Sequence, residues 1–146
     1  MKTIIRTLAV MITTATAIFT CQTAKAQKVV ELTSEEFNKK VYNIEARELV
    51  YLGSQPAIVD FTAIWCGPCR SITPILEDIA KEYKDDIIVY KVDVDKCKDI
   101  ARAFGISSIP AILYVPSDGE PTMTVGARNK NRFKEEIHKY LLKEDK

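Results

Sequence analysis

Two cysteines separated by only two residues, Cys66 and Cys69, are the residues of this chain best suited to covalent chemistry. They follow an apolar run at 57–61 and precede residues 72–83, where apolar positions recur at helical spacing. A helix that starts between them directs unpaired N–H groups and the positive end of its dipole at Cys66. This environment favours the thiolate, the attacking form of cysteine, and Cys69 lies one turn further on. The spacing therefore predicts reversible thiol–disulfide exchange.

A pair of cysteines at this spacing can also be half of a zinc site. Zinc needs four ligands, or three and a water, and the remaining candidates are Cys21, Cys97 and His138. None of them has ligand-like spacing, so the sequence predicts no metal. A purely structural disulfide is also disfavoured, because so short a loop restricts the unfolded chain very little.

The rest of the chain predicts alternating strands and helices. A capping box, Thr33 to Glu36, opens the first helix, and Pro74 lies inside the helix that follows the cysteines. Residues 45–55 are ambiguous, since their first part favours a helix and their second part a strand. The predicted order is β-α-β-α-β-α-β-β-α, which implies an α/β fold with a mixed sheet covered by helices on both faces.

The sequence around the cysteines, WCGPC at 65–69 with VDF before it and Pro74 after it, resembles the thioredoxin family. The resemblance is close over residues 56–142 and looser over 28–44. Ordered matches continue downstream at 91–95, 104–106, 109–110 and 125–127. The resemblance implies the thioredoxin fold, a central mixed β-sheet flanked by helices on both faces.

The chemistry of a dithiol assigns Cys66 as the nucleophile and Cys69 as the thiol that resolves the mixed disulfide. Gly67 and Pro68 set the geometry of the loop and hence its redox potential. The resemblance makes Asp60 the base that takes the proton of Cys69, with a pKa raised by burial; an exposed carboxylate at a strand end is the alternative. Lys91 would lie near Asp60 or be an ordinary charge at a strand edge.

The resemblance also implies a substrate-binding face beside the cysteines. Its key feature is a cis bond between Ile109 and Pro110, next to which a substrate peptide can pair as a strand. For the ring of Trp65, the sequence supports contact with substrate and simple packing equally. The residues expected to bind substrate are Trp65, Ile109, Pro110 and Gly126, with Ile106 nearby.

Three residues depart from the family pattern near this face. Thr62 stands where an aromatic residue is common, Ile64 where a charged one is common, and Arg70 where lysine is usual. These changes alter the rim of the site and leave the cysteine chemistry intact. They are expected to affect which partners bind.

The chain has 146 residues, 47% of them hydrophobic and 28% charged, as expected for one globular domain. Its first part differs: Lys2 and Arg6 precede an apolar stretch at 8–19, and Ala24-Lys25-Ala26 offers small residues for cleavage. This pattern predicts a secretory signal peptide at 1–26 and a single thioredoxin domain at 27–146, and a membrane-spanning anchor is the weaker interpretation. Lipid attachment at Cys21 is a minor alternative, because the residues before it fit that signal poorly.

Cleavage would remove three of the 21 cationic residues and leave 20 acidic ones, a net charge of −2. That balance gives no basic surface for nucleic acid. Three further side chains, His138, Lys130 and Arg132, are expected at the solvated surface. Cys97 near a helix start is interpreted as a small packing residue, with a redox-regulatory or dimer-forming thiol as the alternative.

Together these features predict an exported, periplasmic protein-disulfide reductase that acts without a cofactor. Its expected partners are disulfide-containing proteins and a membrane thiol donor, and it is expected to be a monomer. Two alternatives are an exported disulfide oxidase or isomerase, whose loops usually contain histidine, and a non-catalytic thioredoxin-fold binding subunit. The intact set of Cys66, Cys69, Asp60 and Pro110 argues against the last of these.

Overall fold

The structure, a computed structural model, describes residues 28–46 and 48–142. The predicted signal peptide at 1–26, with Cys21, lies outside these residues. The nine elements follow the predicted order. They are β1 (Val30–Leu32), α1 (Ser34–Lys40), β2 (Ala57–Thr62), α2 (Gly67–Glu82), β3 (Ile88–Asp93), α3 (Lys98–Ala103), β4 (Ala111–Val115), β5 (Thr122–Val125) and α4 (Lys130–Tyr140).

The five strands form one mixed sheet in the order β1-β3-β2-β4-β5. The first three run parallel, and β4 pairs antiparallel with both β2 and β5. β2 lies at the centre and all six of its residues are buried. A parallel strand covered on both faces is usually apolar along its whole length. In β2, Asp60 is the one charged residue. The predicted mixed sheet is confirmed.

Helices cover both faces of the sheet, because successive strand residues point to opposite sides. On one face, Val59 and Phe61 pack in a core with Phe37 of α1 and Ile100 of α3. Each fully buried side chain of this kind stabilises the fold by roughly 1.5–3 kcal/mol. On the other face, a second core joins β2, β3 and β4 to α2 and α4, through Ile58, Val89, Ile112, Tyr114, Ile72, Leu76, Phe133 and Ile137.

Local signals fix where the helices begin. The predicted capping box is present: the Thr33 side chain accepts from Glu36 N–H, and the Glu36 carboxylate accepts from Thr33 N–H at 3.1 Å. Such a box satisfies two backbone donors that a helix start leaves unpaired. Asn129 caps α4 with a single side-chain bond, accepting from Arg132 N–H at 2.9 Å.

The ambiguous segment before β2 adopts neither of the two structures considered. Within 42–46 and 48–56 there is no helix and no strand. The hydroxyl of Tyr51 instead donates to the carbonyl of Gln55 at 2.5 Å, and its ring lies 5.9 Å from that of Tyr42. The apolar side chains Leu49, Val50 and Leu52 stay exposed. An aromatic contact and a tight turn thus override the local strand preference.

All three side chains expected to be solvated have partners, Arg132 through Glu135 and Glu136 of its own helix. Lys130 pairs with Asp78 and Glu82 of α2 at 3.6 and 3.4 Å, although it is partly exposed. The ring of His138 faces the Tyr83 hydroxyl, with 3.4 Å between Nε2 and the oxygen. Helix α4 is therefore attached to α2 by polar contacts as well as by the core.

None of the helices within 28–46 and 48–142 has the length and hydrophobicity required to cross a membrane.

Candidate active site

Cys66 and Cys69 are joined in a disulfide at the start of α2, with 5.3 Å between their Cα atoms. Cys66 is the N-cap residue of the helix, and its Sγ accepts a hydrogen bond from Cys69 N–H at 3.2 Å. Pro68 occupies the first turn, where a missing N–H costs no helical bond. The helix start therefore stabilises negative charge on Cys66 when the disulfide is reduced.

The disulfide is largely shielded from solvent. Cys66 is 4% exposed and Cys69 only 1%. Both pack with Ala63, Val94 and Ile109 in a small apolar cluster. Both residues are thus well buried, and Cys69 is the more buried of the two.

Asp60 lies on the face of the sheet that α2 covers. It shares that face with Ile58, which belongs to the core under α2 and α4, because alternate strand residues point the same way. The residue is 2% exposed, and its Oδ1 atom has no hydrogen-bond partner among the described residues. The alternative of an exposed strand-end carboxylate is therefore wrong.

Burial raises the pKa of Asp60 from 3.8 to about 7, and the positive charge of Lys91 lowers it in part. The two residues are direct neighbours across β2 and β3. A carboxyl group with this pKa can hold or accept a proton near neutral pH, as a general base or acid requires. A role in deprotonating Cys69 remains a prediction from the resemblance.

Replacing Lys91 by methionine is expected to raise the pKa of Asp60 above about 7. The lysine supplies the opposing charge, and without it only desolvation acts on the carboxyl group. Carbon-13 NMR titration of the Asp60 carboxyl measures the change. Lys96→Met is the matched control. Lys91 and Lys96 both line a groove of about 540 Å³, but Lys96 pairs with Glu31 and Asp93. An unchanged pKa in Lys91→Met would contradict this account.

A second groove, of about 370 Å³, lies beside the disulfide. The peptide bond between Ile109 and Pro110 at its edge is cis, as the resemblance implied. Gly126 does not line this groove, but its N–H donates to the carbonyl of Pro110 at 2.8 Å, so it adjoins the cis bond. The residues lining the groove are Trp65, Val94, Ile106, Ser107, Ser108 and Ile109.

Exposed apolar side chains surround the cysteines. Trp65 is 65% exposed, which contradicts the interpretation of this ring as core packing. Its Nε1 donates to Asp95 Oδ2 at 2.7 Å, so the ring is held in place. Ile64 and Val125 are also exposed. Apolar groups kept at the surface in this way suit contact with other proteins.

Several residues around the site were not predicted from the sequence. Asp95 is one of them, although this carboxylate lies within the matching 91–95 segment. The cluster of Arg128, Glu136 and Tyr114 is another, and its one sequence signal is an arginine two residues after Gly126. Arg132, expected to be solvated, also bonds Glu136, with 3.0 Å from its Nε to Oε1.

Cys97 lies apart from the disulfide. It is buried, and its thiol donates to the carbonyl of Leu32 at 3.6 Å. The side chain packs in the core beneath α1 and α3. This environment favours the packing role over a redox or dimer-forming role, since either of those needs an accessible thiol.

The thioredoxin family model matches residues 28–139 of the chain. The chain belongs to the thioredoxin family. It is 42% identical over 113 residues to a thioredoxin of Borreliella burgdorferi, covering 77% of this chain and 97% of that protein. It is 40% identical over 113 residues to a thioredoxin of Buchnera aphidicola, covering 77% and 95%. A crystal structure of chloroplastic thioredoxin z superposes with a TM-score of 0.66 at 28% identity, covering 77% of this chain and 94% of that one.

Membership of the thioredoxin family, together with the paired cysteines, makes this protein a thiol–disulfide oxidoreductase. It is an enzyme of the thioredoxin-like disulfide-reductase class. Thioredoxins act on disulfide-containing proteins, and the apolar surface around Cys66 is suited to such substrates.

Proposed function

We propose that this thioredoxin is an exported protein-disulfide reductase. The observation that carries the proposal is the Cys66–Cys69 disulfide at the start of α2, closed by a loop of Gly67 and Pro68 that adds neither charge nor side-chain donor. Such a loop leaves the helix start as the main source of thiolate stabilisation. A moderately activated thiol of this kind belongs to a reducing couple.

In the proposed reaction, the Cys66 thiolate attacks one sulfur of a substrate disulfide. A new S–S bond forms between Cys66 and that sulfur, the substrate S–S bond breaks, and the other substrate sulfur leaves as a thiolate. Asp60 accepts the proton of Cys69, whose thiolate then attacks Cys66 Sγ. This second exchange releases the reduced substrate and leaves the 66–69 disulfide, so two electrons pass from the enzyme to the substrate.

The groove at Ile109 and the cis Pro110 is the proposed substrate-binding site. An extended peptide can pair with the backbone beside Pro110 and bring its disulfide to Cys66. The exposed rings and side chains of Trp65, Ile64 and Val125 would cover the apolar residues of the substrate. Gly126 completes the site through its bond to Pro110.

Insulin reduction with dithiothreitol as electron donor tests the proposed activity. The wild type should accelerate precipitation of the insulin B chain well above the rate with dithiothreitol alone. The double variant Cys66→Ser/Cys69→Ser should match that uncatalysed rate. Equal rates for the two proteins would favour a non-catalytic binding subunit.

The 66–69 couple is expected to have a reduction potential near about −270 mV, far from the roughly −120 mV of a strong oxidant. A strong oxidant needs extra charge or donors on the thiolate, and here the hydrogen bond to Cys66 Sγ comes from a backbone N–H. Arg70 directs its guanidinium at the carbonyl of Ile64, 3.4 Å away. Equilibration with a glutathione buffer measures the potential. A value above about −180 mV would favour the oxidase or isomerase alternative.

The mature protein is expected to begin at Gln27. The support is the cationic and apolar pattern of residues 1–26 with its small residues at 24 and 26. N-terminal sequencing of the protein recovered from the periplasm checks the cleavage site. A mature protein that begins at Cys21 with an attached lipid would contradict this expectation and would be anchored to a membrane.

The proposal has two further parts, an electron donor and an oligomeric state. A reducing couple in an oxidising compartment needs a supply of electrons, for which a membrane thiol donor is the proposed source. The protein is proposed to act as a monomer, since its apolar rim is small and surrounds the disulfide that substrates must reach.

A further inference from the structure

A cluster of buried charges lies between the sheet and α4, away from the disulfide. Glu136 of α4 accepts a hydrogen bond from the Tyr114 hydroxyl at 2.6 Å and pairs with Arg128, whose Nε lies 2.9 Å from Oε2. The side chains of Arg128 and Glu136 are only 12% and 3% exposed. Arg132 contacts the same carboxylate from outside and is 56% exposed.

An arginine–carboxylate pair buried this deeply needs an explanation beyond stability. Desolvation of the two charges offsets most of their attraction, and well-packed apolar residues of similar size would be about as stable. What apolar residues cannot supply is a set of directed hydrogen-bond donors. The guanidinium of Arg128 has donors left over after its contact with Glu136.

Those remaining donors bond the backbone at the end of β5. One terminal nitrogen of Arg128 donates to the carbonyl of Gly126, and the other to the carbonyl of Val125 at 3.3 Å. The N–H of Gly126 donates in the opposite direction, to the carbonyl of Pro110 at 2.8 Å. Gly126 is therefore held from both sides, by the guanidinium and by the cis proline.

The backbone at Gly126 requires such support. Strand β5 ends at Val125, so no strand partner continues past it. Gly126 has a φ of +101°, a conformation that glycine adopts freely but that its own backbone does not enforce. Without the guanidinium, this short segment would sample other conformations and carry Val125 with it.

We propose that Arg128 is a positioning residue for the protein-substrate site: held by Glu136, which also accepts from Tyr114, its guanidinium fixes the Val125–Gly126 backbone and thereby the segment that bonds Pro110 at the edge of the groove. The inference rests on the proposed function, because it assigns this edge to substrate binding. Arg128 touches neither cysteine in this role. It acts through Gly126, so its loss should weaken the binding of protein substrates rather than the exchange step.

The first test measures the backbone directly and needs no substrate. In Arg128→Met, amide hydrogen exchange at Gly126 should be about tenfold faster, as expected when hydrogen bonds from a charged donor are lost. Arg132→Met is the matched control, because Arg132 binds the same Glu136 carboxylate but has no bond to the two carbonyls. Its Gly126 exchange should equal that of the wild type.

The second test separates binding from chemistry. With insulin as substrate, Arg128→Met should raise KM about fivefold and leave kcat within about twofold. This is the pattern expected when an interaction that stabilises the bound substrate and the transition state equally is lost. Arg132→Met should change neither constant. A wild type that fails to reduce insulin would refute the proposed function, while the exchange result for Gly126 would still stand or fall on its own.

Removal of Arg128 alone leaves the Glu136 charge buried with fewer partners, and this variant can lose its fold. The double variant Arg128→Met/Glu136→Met removes both charges and keeps the volume apolar. Fast exchange at Gly126 and a raised KM in a stably folded double variant support the positioning role. Wild-type exchange and wild-type KM in that variant would overturn it and reduce the cluster to a stabilising contact.

Discussion

Replacement of Cys69 by serine is expected to convert the enzyme into a trap for its substrates. Cys66 keeps its place at the start of α2 and still attacks, but the thiol that releases the substrate is gone. Steady-state reduction should fall by more than about 1,000-fold, as for removal of other members of a covalent catalytic set. Stable mixed disulfides with the substrate should accumulate and be visible on non-reducing gels and by mass spectrometry.

The Cys66→Ser variant should lose activity equally but trap almost nothing. The thiol that remains belongs to Cys69, a residue that is only 1% exposed and therefore poorly accessible to a substrate disulfide. Cys97→Ser serves as the control, because its buried thiol bonds the backbone of Leu32 and lies outside the cysteine cluster. Equal trapping by the Cys66 and Cys69 variants would mean that the nucleophile is wrongly assigned.

Asp60→Asn is expected to make the oxidised protein more stable, by up to about 4 kcal/mol at alkaline pH. The folded protein holds the proton of Asp60 up to about pH 7, whereas the unfolded chain releases it near its ordinary pKa of 3.8. The stability of the wild type therefore falls as pH rises from the lower value through the upper one. Asparagine carries no charge at any pH and avoids this loss.

Urea unfolding at about pH 4 and about pH 8.5 measures the difference. The two proteins should have similar free energies of unfolding at the lower pH and differ most at the higher one. Asp118→Asn is the control, since Asp118 is exposed in the turn before β5. A gain for Asp60→Asn that is equal at both pH values would contradict titration of a buried carboxyl.

Asp60→Asn should also slow the step that releases the substrate from its mixed disulfide with Cys66. The expected effect is about 100-fold near neutral pH, the lower end of what a positioned general base contributes. Formation of the mixed disulfide should change little, because Cys66 depends on the helix start. Rapid-mixing measurements of the two steps distinguish the roles. A stabilised variant whose release rate matches the wild type across about pH 6–9 would leave Asp60 buried but not catalytic.

The elements that sequence predicted well are those whose signals are local. The capping box at Thr33, the apolar run of β2 and the helical period of α2 each lie within one short window. Together they gave the order of the elements and, through it, the mixed sheet. The burial of Asp60 was implied by the resemblance, because the apolar run alone left an exposed strand-end carboxylate as an alternative.

The features that sequence did not predict depend on contacts between distant residues. Glu136 lies on a helix rich in charge, and nothing near it indicates that it turns inward to a tyrosine 22 residues away. The segment at 45–55 combined two opposed preferences and adopts neither structure in its described residues, where Tyr51 instead packs against Tyr42. Trp65 could have been buried or exposed until the position of Asp95 was known.

The parallel pairing of β1 with β3, and of β3 with β2, has a practical consequence for handling the protein. Val30 at the beginning of β1 is level with Tyr90 and Val59, and because the three strands run in the same direction, the chain ahead of Val30 enters from the end opposite the one where β2 delivers the chain to Cys66. A fluorescent label, an affinity handle or a surface linker joined ahead of Val30 would thus project away from the disulfide. Immobilisation through that end should leave the disulfide accessible to large, folded protein substrates.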